Sequence, residues 1–502
     1  VRVNTFDSYV LMALVIVPFG WGVLLAFLPR ERLQHIRLTS AAVALVVLGL
    51  TAYVFLVYDT AAGGYQFIQE FQWLDSLGIT LSLGVDGISV PMILLTGIVM
   101  FTGVLISWNV EHRAKEFFVL FFLLVAGVFG VFVSLDLFFF FFFYELAVMP
   151  MYLLIGIWGS SSDFGTFLRP KEYGAMKLML YLVAGSVLVW VALIAVFVEG
   201  GIGTFSLLAL EDVTFSENFQ RVFFPMCMIG FGILAGLWPF HTWSPDGHVA
   251  APTSVSMLHA GVLMKLGAYG IIRIGIDLLP QGAEEWMPML IILGTVNVVY
   301  GAVSAMGQRD LKYVVGYSSV SHMGYVLMGF ATLNSLGMGG AVLQMFSHGI
   351  MTALLFALVG VIYDRAHIRD IGVLEGLTKR MGLTAAFFAV AGLTSLGLPG
   401  LSGFVAELMV FLGVFRDYPV LGILGIVGAA ITAVYILRLL AKVFFGPLDP
   451  RWEHLPDATR LEGFSMVILV VFLLVVGLYP KPWMDLINSG VAPILARVVS
   501  QT

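Results

Sequence analysis

Long apolar runs separated by short polar breaks make up nearly all of this chain. Fourteen runs lie near 9–28, 38–58, 85–107, 117–134, 136–158, 173–198, 222–241, 250–273, 286–306, 313–333, 337–363, 381–413, 419–446 and 463–481. About twenty apolar residues carry a helix across a bilayer. The runs are apolar throughout rather than alternating, which predicts helices and not a barrel of strands. The first run is expected to be a span and not a cleaved leader, because no basic stretch precedes it and no small-residue cleavage site follows. No break is long enough to hold a soluble domain. The expected fold is all-α and polytopic, with about 14 transmembrane helices in one membrane domain over 1–502.

Loop charge orients the bundle. Of the 25 Lys and Arg residues, fifteen fall in odd-numbered loops, six in even-numbered loops and the termini, and four within runs. Cytoplasmic loops carry the excess of basic residues, so the odd loops are expected to face the cytoplasm and both termini, Arg2 included, to face out. The acidic stretches 59–75 and 199–217 then lie outside.

Two runs are interrupted. The seventh ends in Trp238-Pro239-Phe240-His241-Thr242-Trp243, and the twelfth contains Gly397-Leu398-Pro399-Gly400. Proline and glycine at membrane depth free backbone groups that lipid cannot satisfy, so such breaks line protein or water cavities. Breaks in corresponding helices of two halves predict inverted repeats. The division is helices 1–3 (9–107), a first repeat of helices 4–8 (117–273), a second of helices 9–13 (286–446), and helix 14 with its tail (463–502).

Composition narrows the function. The chain is 60% hydrophobic and 11% charged, with mean hydropathy +0.99; a soluble domain is nearer ~45–50% and ~25%. The net charge of −6 and the lack of a basic tail exclude nucleic acid as a partner. One cysteine, Cys227, excludes disulfides and iron–sulfur ligation within the chain. No phosphate-cradling glycine loop is present, so ATP does not drive it, and no histidine spacing suits a metal.

What remains unusual is charge inside the apolar mass. Glu145, Lys177, Lys265 and Glu407 all fall within runs. A charge at the bilayer centre costs ~2.5–3.5 kcal/mol on insertion scales and faces a partner or a cavity. Burial disfavours the charged form of acid and base alike, which suits proton exchange. Single residues of this kind read equally well as static ion pairs, whereas a series across several helices favours a relay. Five of the nine histidines lie in or beside runs. His241 and His248, at a loop, read best as satisfied hydrogen-bonding residues. His322 and His348 stand beside hydroxyls and read better as relay members.

The chain resembles a known family, the antiporter-like subunits of proton-pumping NADH:quinone oxidoreductase (respiratory complex I), and among them the M-type. The resemblance covers essentially the whole chain. It rests on Leu83-Gly84-Val85-Asp86-Gly87-Ile88-Ser89, Tyr144-Glu145-Leu146-Ala147-Val148-Met149-Pro150, Pro239–Ala251, Leu263-Met264-Lys265-Leu266-Gly267, Asp310-Leu311-Lys312-Tyr313, Ser321-His322-Met323-Gly324, and Gly397-Leu398-Pro399-Gly400 leading to Glu407. Mrp-type cation/proton antiporters and membrane-bound hydrogenases carry overlapping motifs and are the alternative.

The resemblance implies a proton-translocating translocase subunit with no redox site or cofactor of its own. FMN, iron–sulfur clusters and quinone would belong to partner subunits. It would sit among L-type and N-type neighbours in a hetero-oligomer of a bacterial inner membrane, with both termini periplasmic. Lys265 would be the central proton carrier, Glu407 the exit-side acid, His322 and His348 the path between, and Glu145 the acid of the first half. One departure stands out. The family lysine on the seventh helix falls five residues before Pro239, where this chain has Leu234. Lys177 is the expected substitute partner for Glu145.

Overall fold

The computed structural model describes residues 6–7, 9–163 and 168–501; Arg2 lies outside them. Twelve described helices are long and apolar enough to cross a membrane. The tenth expected span is the helix Leu311–Ala331, whose apolar character is diluted by Lys312, three serines and His322. The twelfth is divided into Gly382–Ser395 and Ser402–Asp417.

Polar residues at the edges of the runs start the helices. Asp136, Asp310 and Asn334 accept hydrogen bonds from N–H groups two or three residues on, and Thr459 and Glu462 form a reciprocal cap. Each supplies a partner that the first helical turn lacks.

The third, eighth and eleventh spans form the interior and are almost wholly enclosed. The outer spans leave Leu24, Leu56, Val198 and Val420 exposed, as lipid-facing helices do. Small residues bring backbones together. A methyl group on Gly127 would stand 2.5 Å from the Ala147 nitrogen, and one on Gly267 would stand 2.4 Å from the Phe231 carbonyl oxygen. In the Phe138–Phe143 run, Phe139, Phe140 and Phe143 are buried while Phe142 is exposed. Phe140 packs on Phe231 and Tyr269.

Odd loops meet odd loops on one face, and even loops meet even loops on the other. Arg369 pairs with Asp310 at 3.1 Å and Arg169 with Asp246 at 2.5 Å on the basic face. Opposite, Gln281 donates to Gln220 at 2.9 Å and Asn334 to Asp417 at 3.2 Å. The separation of loop charge read from the sequence is therefore a separation of surfaces.

Two elements on the even-loop face depart from the sequence reading. Gln66–Leu74 and Ile79–Val85 pair as an antiparallel hairpin where an acidic loop was expected. Lys481–Gln501 is a helix that buries Trp483, Leu486, Ile487, Gly490, Val491 and Ile494 along one side.

Both expected breaks are present, and each is satisfied by protein. The seventh span runs Glu217–Ala235 and stops at Gly236, whose φ of +81° glycine adopts without strain. Asn297 of the ninth span then accepts from Trp238 N at 2.6 Å and donates to the Gly236 carbonyl at 2.7 Å. The helix resumes as Trp243–Ala250. In the twelfth, Gly397 at φ +73° turns the chain while Leu398 N reaches back to the Leu393 carbonyl at 3.0 Å.

Candidate functional site

The eighth span, Thr253–Ile276, is wholly buried and does not keep an even ladder. Its segments His259–Leu263 and Ile271–Ile276 are π-helical and flank an α-helical Met264–Gly270. Wide turns of this kind concentrate at functional sites. Between the two wide turns lies Lys265, which is 0% exposed. Its ammonium donates to the Ala260 carbonyl within the first wide turn and lies 2.7 Å from His348 Nδ1 on the eleventh span.

From His348 a line of ionisable groups continues across three helices. The His348 and His322 rings are centred 5.4 Å apart. His322 Nδ1 stands 3.3 Å from Glu407 Oε1 and 3.2 Å from Gln344 Nε2. Without a proton, that nitrogen accepts from Gln344; with one, it donates to Glu407. His322 Nε2 contacts Ser395 Oγ at 2.9 Å, and Ser347 bonds Ser402 at 2.7 Å across the twelfth-span break. The break also shapes the acid's socket, since a Cβ on Gly397 would lie 2.9 Å from Glu407 Oε2. Lys265, His348, His322 and Glu407 are each under 5% exposed. The structure thus brings together four of the six residues singled out in the sequence.

The other two stand apart from these and from one another. Glu145 faces Ser186 of the sixth span, and neither Glu145 Oε1 nor the Ser186 hydroxyl completes a hydrogen bond. Lys177 was expected to pair with Glu145. Instead its ammonium is 2.8 Å from Asp246, which also takes Arg169 and the Tyr313 hydroxyl. Lys177 precedes Ser186 by nine residues, about 13 Å of helical rise, so the two charges occupy different depths. Leu234 is buried where the last turn of the seventh span presses on Gly267.

The sequence reading gave no relay role to several further buried polar groups, and took His248 for a satisfied hydrogen-bonding residue. The His248 and His259 ring centres lie 4.0 Å apart at a 45° tilt, both side chains are 0% exposed, and among the described residues no ring nitrogen of either is bonded. Lys312 is 2% exposed and donates to the Ala251 carbonyl at 2.7 Å. On the even-loop side Arg273 binds Asp86 at 2.5 Å, Asp277 at 3.3 Å and the Tyr65 hydroxyl at 2.8 Å. Arg497 of the last helix joins Asp277 to Glu211. Burial, helped by Asp277 and opposed by Arg497, pushes the Glu211 carboxyl up to about 7. The signal available for these was a histidine or arginine in an apolar context, which does not say which way the side chain points.

Residues 134–432 match the family described as NADH:quinone oxidoreductase/Mrp antiporter, transmembrane. The chain is 37% identical to a NAD(P)H-quinone oxidoreductase chain 4 of Synechococcus elongatus over 98% of its own length and 92% of the relative's. It is 36% identical to the Gloeobacter violaceus chain 4, over 95% and 90%. Among solved structures it is similar to a chain in respiratory complex I from Thermus thermophilus, with a TM-score of 0.86 and 26% identity over 97% and 99%. It also shares the fold of a chain in the Mrp complex from Dietzia sp. DQ12-45-1b, with a TM-score of 0.85 and 20% identity over 99% and 100%.

Proposed function

The chain belongs to the NADH:quinone oxidoreductase/Mrp antiporter transmembrane family, and from that premise we propose how it translocates protons. It is a proton-translocating subunit of the complex I type, and the moving proton follows Lys265, His348, His322 and Glu407. The single observation that carries this reading is the unbroken proximity of those four buried groups, beginning with the 2.7 Å contact of Lys265 and His348. Lysine gives its proton to Nδ1 of His348 and becomes a neutral amine; the imidazolium releases a proton from Nε2 toward His322, and His322 passes one to the Glu407 carboxylate. At the end Lys265 is a neutral amine, both histidines are again neutral imidazoles, and Glu407 holds the proton as a carboxylic acid.

Redox chemistry is supplied elsewhere. FMN, iron–sulfur clusters and quinone are held by partner subunits, and flanking L-type and N-type subunits complete the membrane arm. The excess of Lys and Arg on the odd-loop face supports placing that face in the cytoplasm of a bacterial inner membrane and both termini in the periplasm. The two five-helix units, 117–273 and 286–446, act as inverted halves, each with a break in its fourth helix.

The test is proton uptake into vesicles by the intact complex carrying Glu407→Ala. The expected result is loss of translocation of roughly a hundredfold or more with the complex still assembled. Wild-type translocation in that variant would overturn the reading.

A further inference from the structure

With leucine at 234 and Glu145 facing only a serine, the first half of the bundle offers Lys265 no evident supply of protons. Another route is present. A cavity of about 420 Å³ opens on the odd-loop face, bounded by Asn109, Ser160, Ser254, Lys312, Asp364 and His367. Asp364 and His367 are exposed at its mouth, and Lys312 forms its floor at 2% exposure. The Lys312 ammonium is held by carbonyl oxygens alone, Ala251 at 2.7 Å and Val249 at 3.5 Å, and no carboxylate lies within ion-pair distance of it among the described residues. A buried lysine without a fixed counter-charge can release its proton.

His248 immediately precedes Val249, one of the two residues whose carbonyls face the Lys312 ammonium. The His248 ring centre lies 4.0 Å from that of His259, the two rings tilted by 45°, and His259 is six residues before Lys265 on the eighth span. Among the described residues, the four imidazole nitrogens of this pair have no hydrogen-bond partner. Buried polar groups are paired in almost all proteins, and leaving one unpaired forfeits its hydration without compensation. Two such side chains in contact, between two buried lysines, are an expense that static packing does not require.

We propose that this cavity is the proton-uptake site of the chain and Lys312 its uptake group, delivering protons to Lys265 through the adjacent His248 and His259 rings. The inference rests on the Lys265-to-Glu407 reading and adds its source. Lys312 releases a proton to one nitrogen of His248 and is left as an amine, which a proton from the cavity restores. The His248 imidazolium gives up the proton on its other nitrogen, and His259 takes one and yields one to the neutral Lys265 amine. No proton is created or lost along the line.

Asn109, exposed at the lip, provides the test. The intact complex with Asn109→Cys is reconstituted with the odd-loop face outward and labelled with a bulky, membrane-impermeant thiol reagent, labelling being confirmed by mass. The parent complex, whose Cys227 is buried, receives the same treatment. Translocation at matched electron-transfer rate is expected to fall at least roughly tenfold relative to the treated parent. Full translocation after complete labelling would overturn the proposal. As a second measurement, Lys312→Leu is expected to give the same loss and Lys312→Arg not to restore it, since arginine does not release its proton; normal translocation by Lys312→Leu would also overturn it. Lys265→Ala separates the two readings. If that variant pumps, the central relay fails; if it does not pump while the labelled cavity does, only the uptake site fails.

Discussion

Lys265→Ala is expected to abolish proton translocation by the assembled complex, and Lys265→Arg is expected not to rescue it. The side chain is fully enclosed, touches His348 at 2.7 Å, and has no carboxylate within ion-pair distance among the described residues. Its role depends on existing both with and without its proton, and arginine, with a pKa above about 12, exists only with it. A positioned proton-transfer group contributes about 10²–10⁴-fold, so translocation should drop below detection in a vesicle assay. Removing an ammonium from an apolar helix leaves only the Ala260 carbonyl and His348 Nδ1 without a donor, so assembly should survive. Normal acidification of vesicles carrying either variant at wild-type content would remove Lys265 from the mechanism.

The largest effect on stability is expected at the opposite side of the bundle. Arg273→Met deletes a cation that is 2% exposed and holds Asp86, Asp277 and the Tyr65 hydroxyl together. Breaking a buried ion pair from one end costs about 3–5 kcal/mol, because the abandoned charge stays buried. Asp86 and Asp277 are 3% and 2% exposed. Asp86 sits at the end of the hairpin against Gly490 of the last helix, so the loss should loosen the hairpin and that helix together. The measurement is thermal aggregation of the complex, with limited proteolysis at the even-loop face. Replacing the partner as well, in Arg273→Met/Asp86→Leu, should recover part of the loss, since no orphaned Asp86 carboxylate remains. Equal damage in the single and double variants would show that the pair's charges do not matter to the fold.

What the sequence made legible follows from what it encodes one residue at a time. The spans were visible because lipid demands continuous apolar runs. The two breaks were visible because glycine and proline have few other uses at that depth. Lys265, His322, His348 and Glu407 could be picked out because an ionisable residue in such a run needs a reason. Contact between them was not visible, since it depends on how four helices are rotated. The same ignorance of rotation led to Lys177 being matched with Glu145, when the sixth span turns it to Asp246. It also hid the partnerless state of His248, which reads as an ordinary loop residue. Asn297 gave no warning at all, because its role is to bond a backbone interrupted sixty residues earlier. The hairpin was missed for a different reason: its first strand, Gln66–Leu74, is mostly exposed and carries little alternation of burial.

The two wide turns of the eighth span have a consequence for register. Each holds one residue more per turn than an α-helix, and each α-helical residue advances by about 100° of rotation. Side chains beyond each turn are therefore out of phase with those before it by about that angle. The seven residues Met264–Gly270 form a segment whose heading is independent of both flanks, so Lys265 can point at His348 while Arg273, in the second wide turn, points at Asp86. Deleting one residue from His259–Leu263 would restore an even ladder and swing the ammonium by that angle, away from its histidine, with every ionisable group still in the chain. In this helix, a count of residues serves as the compass.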